Sequence, residues 1–182
     1  MGIIYLMCGI PGSGKTTYIL NTMQKIQEQN SKKVTIAHVS RDVIRFNIIR
    51  SLYGDDYSGE QYFTNEKEVW NIYVNEVQSY IDANYDFIFV DATHLNERSR
   101  NKILDCLDLK TYNVIPISFE NMLQTCLLRN EFRKNDKLAY VPLSVIKNMN
   151  ESYKIPTFDE KYKYLEIIHI NEAGAHYDFI YD

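Results

Sequence analysis

Ile3-Ile4-Tyr5-Leu6-Met7-Cys8, followed at once by Gly9-Ile10-Pro11-Gly12-Ser13-Gly14-Lys15-Thr16, is the stretch that decides the fold. The apolar run is too short for a helix and too apolar for an exposed strand, so it reads as a buried parallel strand. The segment after it satisfies the spacing G-x-x-x-x-G-K-[ST], and each residue type there has a physical task. Glycines permit backbone torsions closed to other residues, so successive N–H groups can turn inward around phosphate oxygens. A helix starting near Lys15 adds its dipole and unpaired N–H groups at the same point. Lys15 supplies a full positive charge, and the Thr16 hydroxyl a ligand for Mg²⁺. The binding set is therefore Gly9, Gly12, Ser13, Gly14, Lys15, Thr16 and Thr17, and the expected ligand is a nucleoside triphosphate, ATP or GTP, with Mg²⁺.

Outward from this loop, short apolar runs alternate with amphipathic stretches. Val34–Val39, Phe87–Val90, Val114–Phe119 and Tyr164–Ile170 repeat the strand pattern, with Pro116 making the fourth strand less regular or placing it nearer a sheet edge. Between them the period changes to that of a helix. Val69, Ile72, Tyr73, Val77, Tyr80 and Ile81 mark one face, Met122, Leu123, Cys126 and Leu127 a second, and Val145, Ile146, Met149 and Tyr153 a third. Five strands alternating with helices imply an α/β fold whose parallel sheet is covered on both faces. No repeat or low-complexity linker divides the chain, so residues 1–182 read as one domain. Residues 53–65 and 133–142 break the rhythm and read as surface segments at the same end of the sheet as the glycine loop.

Composition narrows the function classes. The 182 residues are 45% hydrophobic and 24% charged, which excludes a largely disordered chain. With 20 Lys+Arg against 24 Asp+Glu the formal net charge is −4, which argues against a general nucleic-acid coat and leaves room for a local basic site in a cleft. No apolar run approaches the roughly 20 residues of a membrane span. No charge precedes Lys15, and the apolar start runs straight into glycines, so a secretory signal is not expected. Leu6 stands where myristoylation of Gly2 would want Ser or Thr. Cys8, Cys106 and Cys126 show no metal or redox spacing, so a reduced, cytoplasmic protein with all three thiols buried is expected.

A phosphate cradle does not by itself separate kinases from other nucleotide-binding proteins. Three features discriminate. The second strand runs into Ser40-Arg41-Asp42-Val43-Ile44-Arg45, and on a helix starting there Asp42 and Arg45 share one face. Asp42 can take a proton from an attacking hydroxyl, and Arg45 can hold a phosphate on the acceptor; both also suit a solvated first turn. Phe87-Ile88-Phe89-Val90-Asp91 delivers a carboxylate, Asp91, to the end of the third strand, where it can orient Mg²⁺ water or the acceptor. Arg129 and Arg133 lie i, i+4, followed by Lys134 and Lys137, and residues 129–137 carry four cations against Glu131 and Asp136. A basic segment there, about residues 129–142, has the properties of a lid that brings charge to a transferring phosphoryl group, or of a solvated helix end.

Taken together, G-I-P-G-S-G-K-T-T, S-R-D-V-I-R, V-D-A-T-H-L-N-E-R-S-R and L-L-R-N-E-F-R-K…V-P-L-S-V-I resemble the 5′-hydroxyl polynucleotide kinases of phage and bacterial RNA-repair systems, from about residue 3 to about residue 153. The resemblance implies a P-loop NTPase-type, adenylate-kinase-like core with a five-stranded parallel sheet and a small basic lid. It also implies that Lys15 and Thr16 serve the nucleotide phosphates and metal. Asp42 would be the general base on the 5′-OH, Arg45 the contact to the acceptor's phosphate, Arg133 the lid arginine and Arg129 a second lid cation. Asp91 falls where that family has an aspartate near the acceptor. The segment from Lys154 onward resembles the end of stand-alone P-loop kinases, a neighbourhood that includes enzymes acting on small molecules and on tRNA.

The acceptor therefore has two candidates, a 5′-OH nucleic-acid end and a small-molecule or tRNA hydroxyl; a nucleotide switch or ATPase is the third class. Tyrosine is abundant at 15 of 182, and Tyr53, Tyr57, Tyr62 and Phe63 are placed where stacking on a base would be useful. His94 reads as a neutral polar loop residue, His38 as a strand residue, and Trp70 as packing against core or lid.

Overall fold

The computed structural model describes residues 2–30, 33–55, 57, 61–109, 111–120, 122–133, 140–162 and 164–171, and the backbone of 174–179. The strands are β1 (Ile3–Cys8), β2 (Ile36–Ser40), β3 (Phe87–Asp91), β4 (Asn113–Phe119), β5 (Glu166–Asn171) and β6 (Gly174–Phe179). The helices are α1 (Lys15–Gln29), α2 (Arg41–Tyr53), α3 (Glu66–Asp82), α4 (Glu97–Leu104), α5 (Leu123–Glu131) and α6 (Leu143–Ser152). The sheet order is β2-β3-β1-β4-β5-β6. The first five strands are parallel, as the alternation of apolar runs and helices requires, and β6 adds an antiparallel edge to β5.

The apolar run that opens the chain is central because both its faces are covered. Ile4, Leu6 and Cys8 pack with Val69, Tyr73, Val77 and Ile81 of α3 and with Ile103 and Leu104 of α4. Met7, on the opposite face, packs with Ile19 of α1 and with Phe89 and Ile117 from the flanking strands. Each such fully buried aliphatic side chain contributes about 1.5–3 kcal/mol over its exposed state. A smaller third cluster, Ile10, Cys126 and Ile146, fastens the glycine loop to α5 and α6.

Particular residues fix the element ends. Ser40 caps α2 by accepting from the Val43 N–H, and Gly54 ends it at φ +69°. Asn96 and Ser99 form a reciprocal capping box on α4. Pro116 sits inside a central strand, opposite Leu6 of β1, and the ladder to β5 begins only at Ile117. The missing N–H therefore falls where the β5 side is unpaired. Ile72 and Met122, placed on apolar faces by their spacing, are about two-fifths exposed. Residues 53–65 are not all loop, because Tyr53 closes α2 and Gln61–Phe63 form a 3₁₀ turn; residues 56 and 58–60 lie outside the described residues.

Cys8 and Cys126 are buried, but Cys106 is exposed, which corrects the expectation of three buried thiols. It falls just beyond the end of α4, outside the helix face that packs on the sheet. No helix among the described residues is long and apolar enough to cross a membrane.

Candidate functional site

β1 is flanked by β3 on one side and β4 on the other, so the chain crosses to opposite sides of it and a crevice opens beyond its carboxyl end. Gly9 to Gly14 fill the mouth of that crevice. Gly12 and Gly14 have φ of +84° and +101°, a region costly for any side chain. Gly12 is doubly constrained, since a Cβ there would lie 2.7 Å from the Cys126 carbonyl oxygen. The loop is pinned to the next strand by the Gly9 N–H donating to the Thr93 carbonyl at 2.9 Å. The Arg129 guanidinium donates to the Gly12 carbonyl at 3.1 Å.

The Lys15 ammonium donates to the carbonyls of Gly9 and Ile10, each at 2.9 Å. Burial pushes Lys15 below its ordinary pKa, while the Asp91 and Asp42 carboxylates, in that order, oppose the shift and Arg133 adds to it. Residues of α1, α2 and β3 and of the segment just after α5 thus share one electrostatic site. The residues suit a triphosphate: the Ser13 hydroxyl is buried with no hydrogen-bond partner, within a loop of positive-φ glycines and beside an ammonium. Thr16 and Thr17 are exposed in the first turn of α1. Thr16 and Asp91 are the residues that could hold Mg²⁺, and no cluster of three His, Cys, Asp or Glu occurs among the described residues. Mg²⁺ fits such a sparse set because it takes most of its ligands from phosphate and water.

Asp42 and Arg45 come together as their spacing requires, with Arg45 Nη1 donating to Asp42 Oδ1. Arg45 is buried and Asp42 exposed. Glu66, at the start of α3, completes this group: it accepts from Arg45 Nε at 2.6 Å and from Arg41 Nη2 at 2.5 Å. Burial opposes ionisation of Glu66, yet the hydrogen bonds and charges of Arg45 and Arg41 hold it below its usual range. Tyr62 and Phe63 stand against the Arg45 guanidinium, with centroids 5.3 and 5.6 Å away.

Asp91 ends β3 beside Ser40 of β2 and meets the His38 ring, whose Nε2 lies 3.1 Å from Oδ2. His94 is buried with its pKa lowered to about 4, chiefly by desolvation. Burial favours the neutral ring, in which Nδ1–H donates to the Met7 carbonyl at 2.6 Å and Nε2 faces the Tyr73 hydroxyl at 3.4 Å. Arg129 and Arg133 are exposed near the glycine loop. The base of the segment after them is closed by buried Asn130, whose side-chain amide donates to the Val141 carbonyl at 2.8 Å and accepts its N–H at 2.9 Å. Lys134 and Lys137 lie outside the described residues.

Sequence patterns missed Glu66, and they missed Arg100 with Glu160. Arg100 is fully buried and pairs through Nε and Nη2 with the Glu160 carboxylate, while its Nη1 donates to the His94 carbonyl at 3.1 Å. A charged residue this deeply buried requires such partners.

A phosphate nest at the switch point of a 2-3-1-4-5 parallel sheet makes this a P-loop nucleotide-binding protein with a kinase-like core. More narrowly, the chain belongs to the AAA domain family, which matches residues 4–156. Kti12 from Chaetomium thermophilum, solved in complex with ADP-AlF3, is similar at TM-score 0.70 and 16% identity, over 93% of this chain and 89% of that one. A chain of the Pnkp1/Rnl/Hen1 RNA repair complex is similar at TM-score 0.62 and 18% identity, over 83% of this chain and 43% of that one. A fungal RNA kinase is similar at TM-score 0.53 and 16% identity, over 93% and 74%. The protein thus spans less than half of the RNA-repair chain it matches. No curated protein matches it in sequence.

Proposed function

We propose that the protein is a Mg²⁺-dependent kinase that transfers the γ-phosphoryl group of ATP or GTP to an alcohol, with the 5′-hydroxyl of an RNA or DNA end as acceptor. One observation carries this reading: Asp42, exposed in the first turn of α2, is paired with Arg45, which sets a carboxylate for a hydroxyl proton beside a cation for an acceptor phosphate. The fungal RNA kinase and the RNA-repair chain support the choice of acceptor through their shared fold.

In this reading the backbone nest from Gly9 to Gly14, with Ser13 and Thr17, grips the phosphates, and Lys15 carries charge at the transferring group. The acceptor oxygen attacks γ-phosphorus as the bond to the β–γ bridging oxygen breaks, and the hydroxyl proton passes to Asp42. Arg45 is the cation beside the acceptor's own phosphate, and Arg129 and Arg133 offset charge that builds up on the donor side. Thr16 and Asp91 would hold Mg²⁺, which would supply neutralisation of phosphate charge there. Positioning and electrostatics do most of the work.

A second reading, a kinase for a small-molecule or tRNA hydroxyl, is favoured by the neutralisation of Arg41 and Arg45 by Glu66, which leaves less net charge for a polyanion. Transfer of label from ATP to a 5′-OH oligonucleotide, with Asp42→Asn as control, tests the first reading. Rising salt should weaken an oligonucleotide acceptor and leave an uncharged metabolite unaffected. Hydrolysis without any transfer product would instead indicate an ATPase or switch.

A further inference from the structure

Glu66 belongs to no phosphate-binding motif, yet three N–H groups converge on its carboxylate: Arg45 Nε at 2.6 Å, Arg45 Nη2 at 3.3 Å and Arg41 Nη2 at 2.5 Å. The remaining nitrogen of Arg45, Nη1, donates to Asp42. The Tyr62 and Phe63 rings flank the same guanidinium, and the Arg45 side chain is only 8% exposed. Arg45 is thus held at its edge and against two rings. Asp42 is held differently: its side chain is 76% exposed in the first turn of a helix, a setting in which a carboxylate ordinarily samples several rotamers. Its described hydrogen-bond partner is Arg45.

We infer that Glu66 is a positioning residue: it locks Arg45, and Arg45 locks the Asp42 carboxylate in a single orientation for proton removal. This rests on the reading of Asp42 as the base. Bidentate carboxylate–guanidinium pairs fix angle as well as distance, which suits a group that must orient another. Nη1 and Nη2 each keep an N–H for a substrate phosphate, so the clamp and acceptor binding are compatible. A carboxylate in a helix's first turn also suits the dipole, and Glu68, exposed in the same turn of α3, is the control for that effect.

The test has two arms on the full chain. In the first, side-chain three-bond couplings of Asp42 are measured by NMR in the wild type, Glu66→Gln and Glu68→Gln. A single rotamer in the wild type and in Glu68→Gln, with averaging in Glu66→Gln, is expected; averaging in the wild type, or one rotamer in Glu66→Gln, overturns the inference. In the second, single-turnover transfer to a 5′-OH oligoribonucleotide is followed for Glu66→Gln, Asp42→Asn and the double variant. Glu66→Gln should lower kcat about tenfold with nucleotide KM unchanged, and should add less than twofold to the loss in Asp42→Asn. An equal loss in both backgrounds overturns the inference. Full activity in Asp42→Asn would instead remove the base reading itself, and absence of transfer in the wild type would remove the acceptor reading while the rotamer arm still decides the clamp.

Discussion

The Arg129 guanidinium and the Gly12 carbonyl, 3.1 Å apart, tie the last turn of α5 to the apex of the phosphate nest. The end of α5 and the glycine loop are therefore coupled through one side chain, and loss of Arg129 should be felt as weaker nucleotide binding before any effect on chemistry.

Gly12→Ala should be more severe. The added methyl meets the Cys126 carbonyl at 2.7 Å and adopts a φ of +84°, so a cost of about 2 kcal/mol or more is expected. Calorimetry with Mg²⁺-ATP should show binding lost in Gly12→Ala and weakened, but present, in Arg129→Met.

Asp42→Asn should leave nucleotide affinity within about threefold of the wild type and lower transfer by 10²-fold or more. Because the side chain is exposed, the variant should melt like the parent. A parallel fall in nucleotide affinity would place Asp42 in the cradle instead.

The neutral His94 ring makes stability depend on pH. Its folded pKa of about 4 lies below the ordinary histidine value of 6.5, so its contribution is fully present above about 6.5 and is lost as pH falls toward 4. The shift corresponds to a loss on the order of 3 kcal/mol. Denaturant unfolding across that window should show a shallower fall for His94→Asn, since Asn tolerates the backbone φ of +36° and carries no titrating proton.

Removing one partner of the buried Arg100–Glu160 pair should destabilise by about 3–5 kcal/mol, because the other charge is left without compensation. Glu160→Leu should lower Tm by roughly 10 °C, and the double replacement Arg100→Met with Glu160→Leu should regain part of that loss. Equal melting of the single and double variants would show that packing, not charge, sets the cost.

How much of this was legible in the sequence depended on separation along the chain. The glycine loop, the five parallel strands and the Asp42–Arg45 pair are local patterns, and their physical requirements are met within a few residues. Glu66 joins Arg45 across 21 positions, and Glu160 joins Arg100 across 60, so neither pair leaves a periodic trace. Arg100 sits in the polar run E-R-S-R, which looks like a solvated helix face until the chain from Lys154 folds back over it. His38 read simply as a strand residue; its contact with Asp91 depends on the register that sets Ser40 against Asp91. Tertiary closure, not local preference, decided these positions.

The Tyr153 hydroxyl donates to the Cys8 carbonyl at 3.2 Å, and the Tyr164 hydroxyl reaches the Glu160 carboxylate at the same distance. The family match ends at residue 156, ahead of Glu160, Tyr164 and the fifth parallel strand. A shortened gene stopped at that border would keep the glycine loop and the Tyr153 contact, yet would leave the buried Arg100 guanidinium without its carboxylate. The border of recognisable kinship thus cuts through an ion pair, and a truncated chain would carry a stranded charge in its interior.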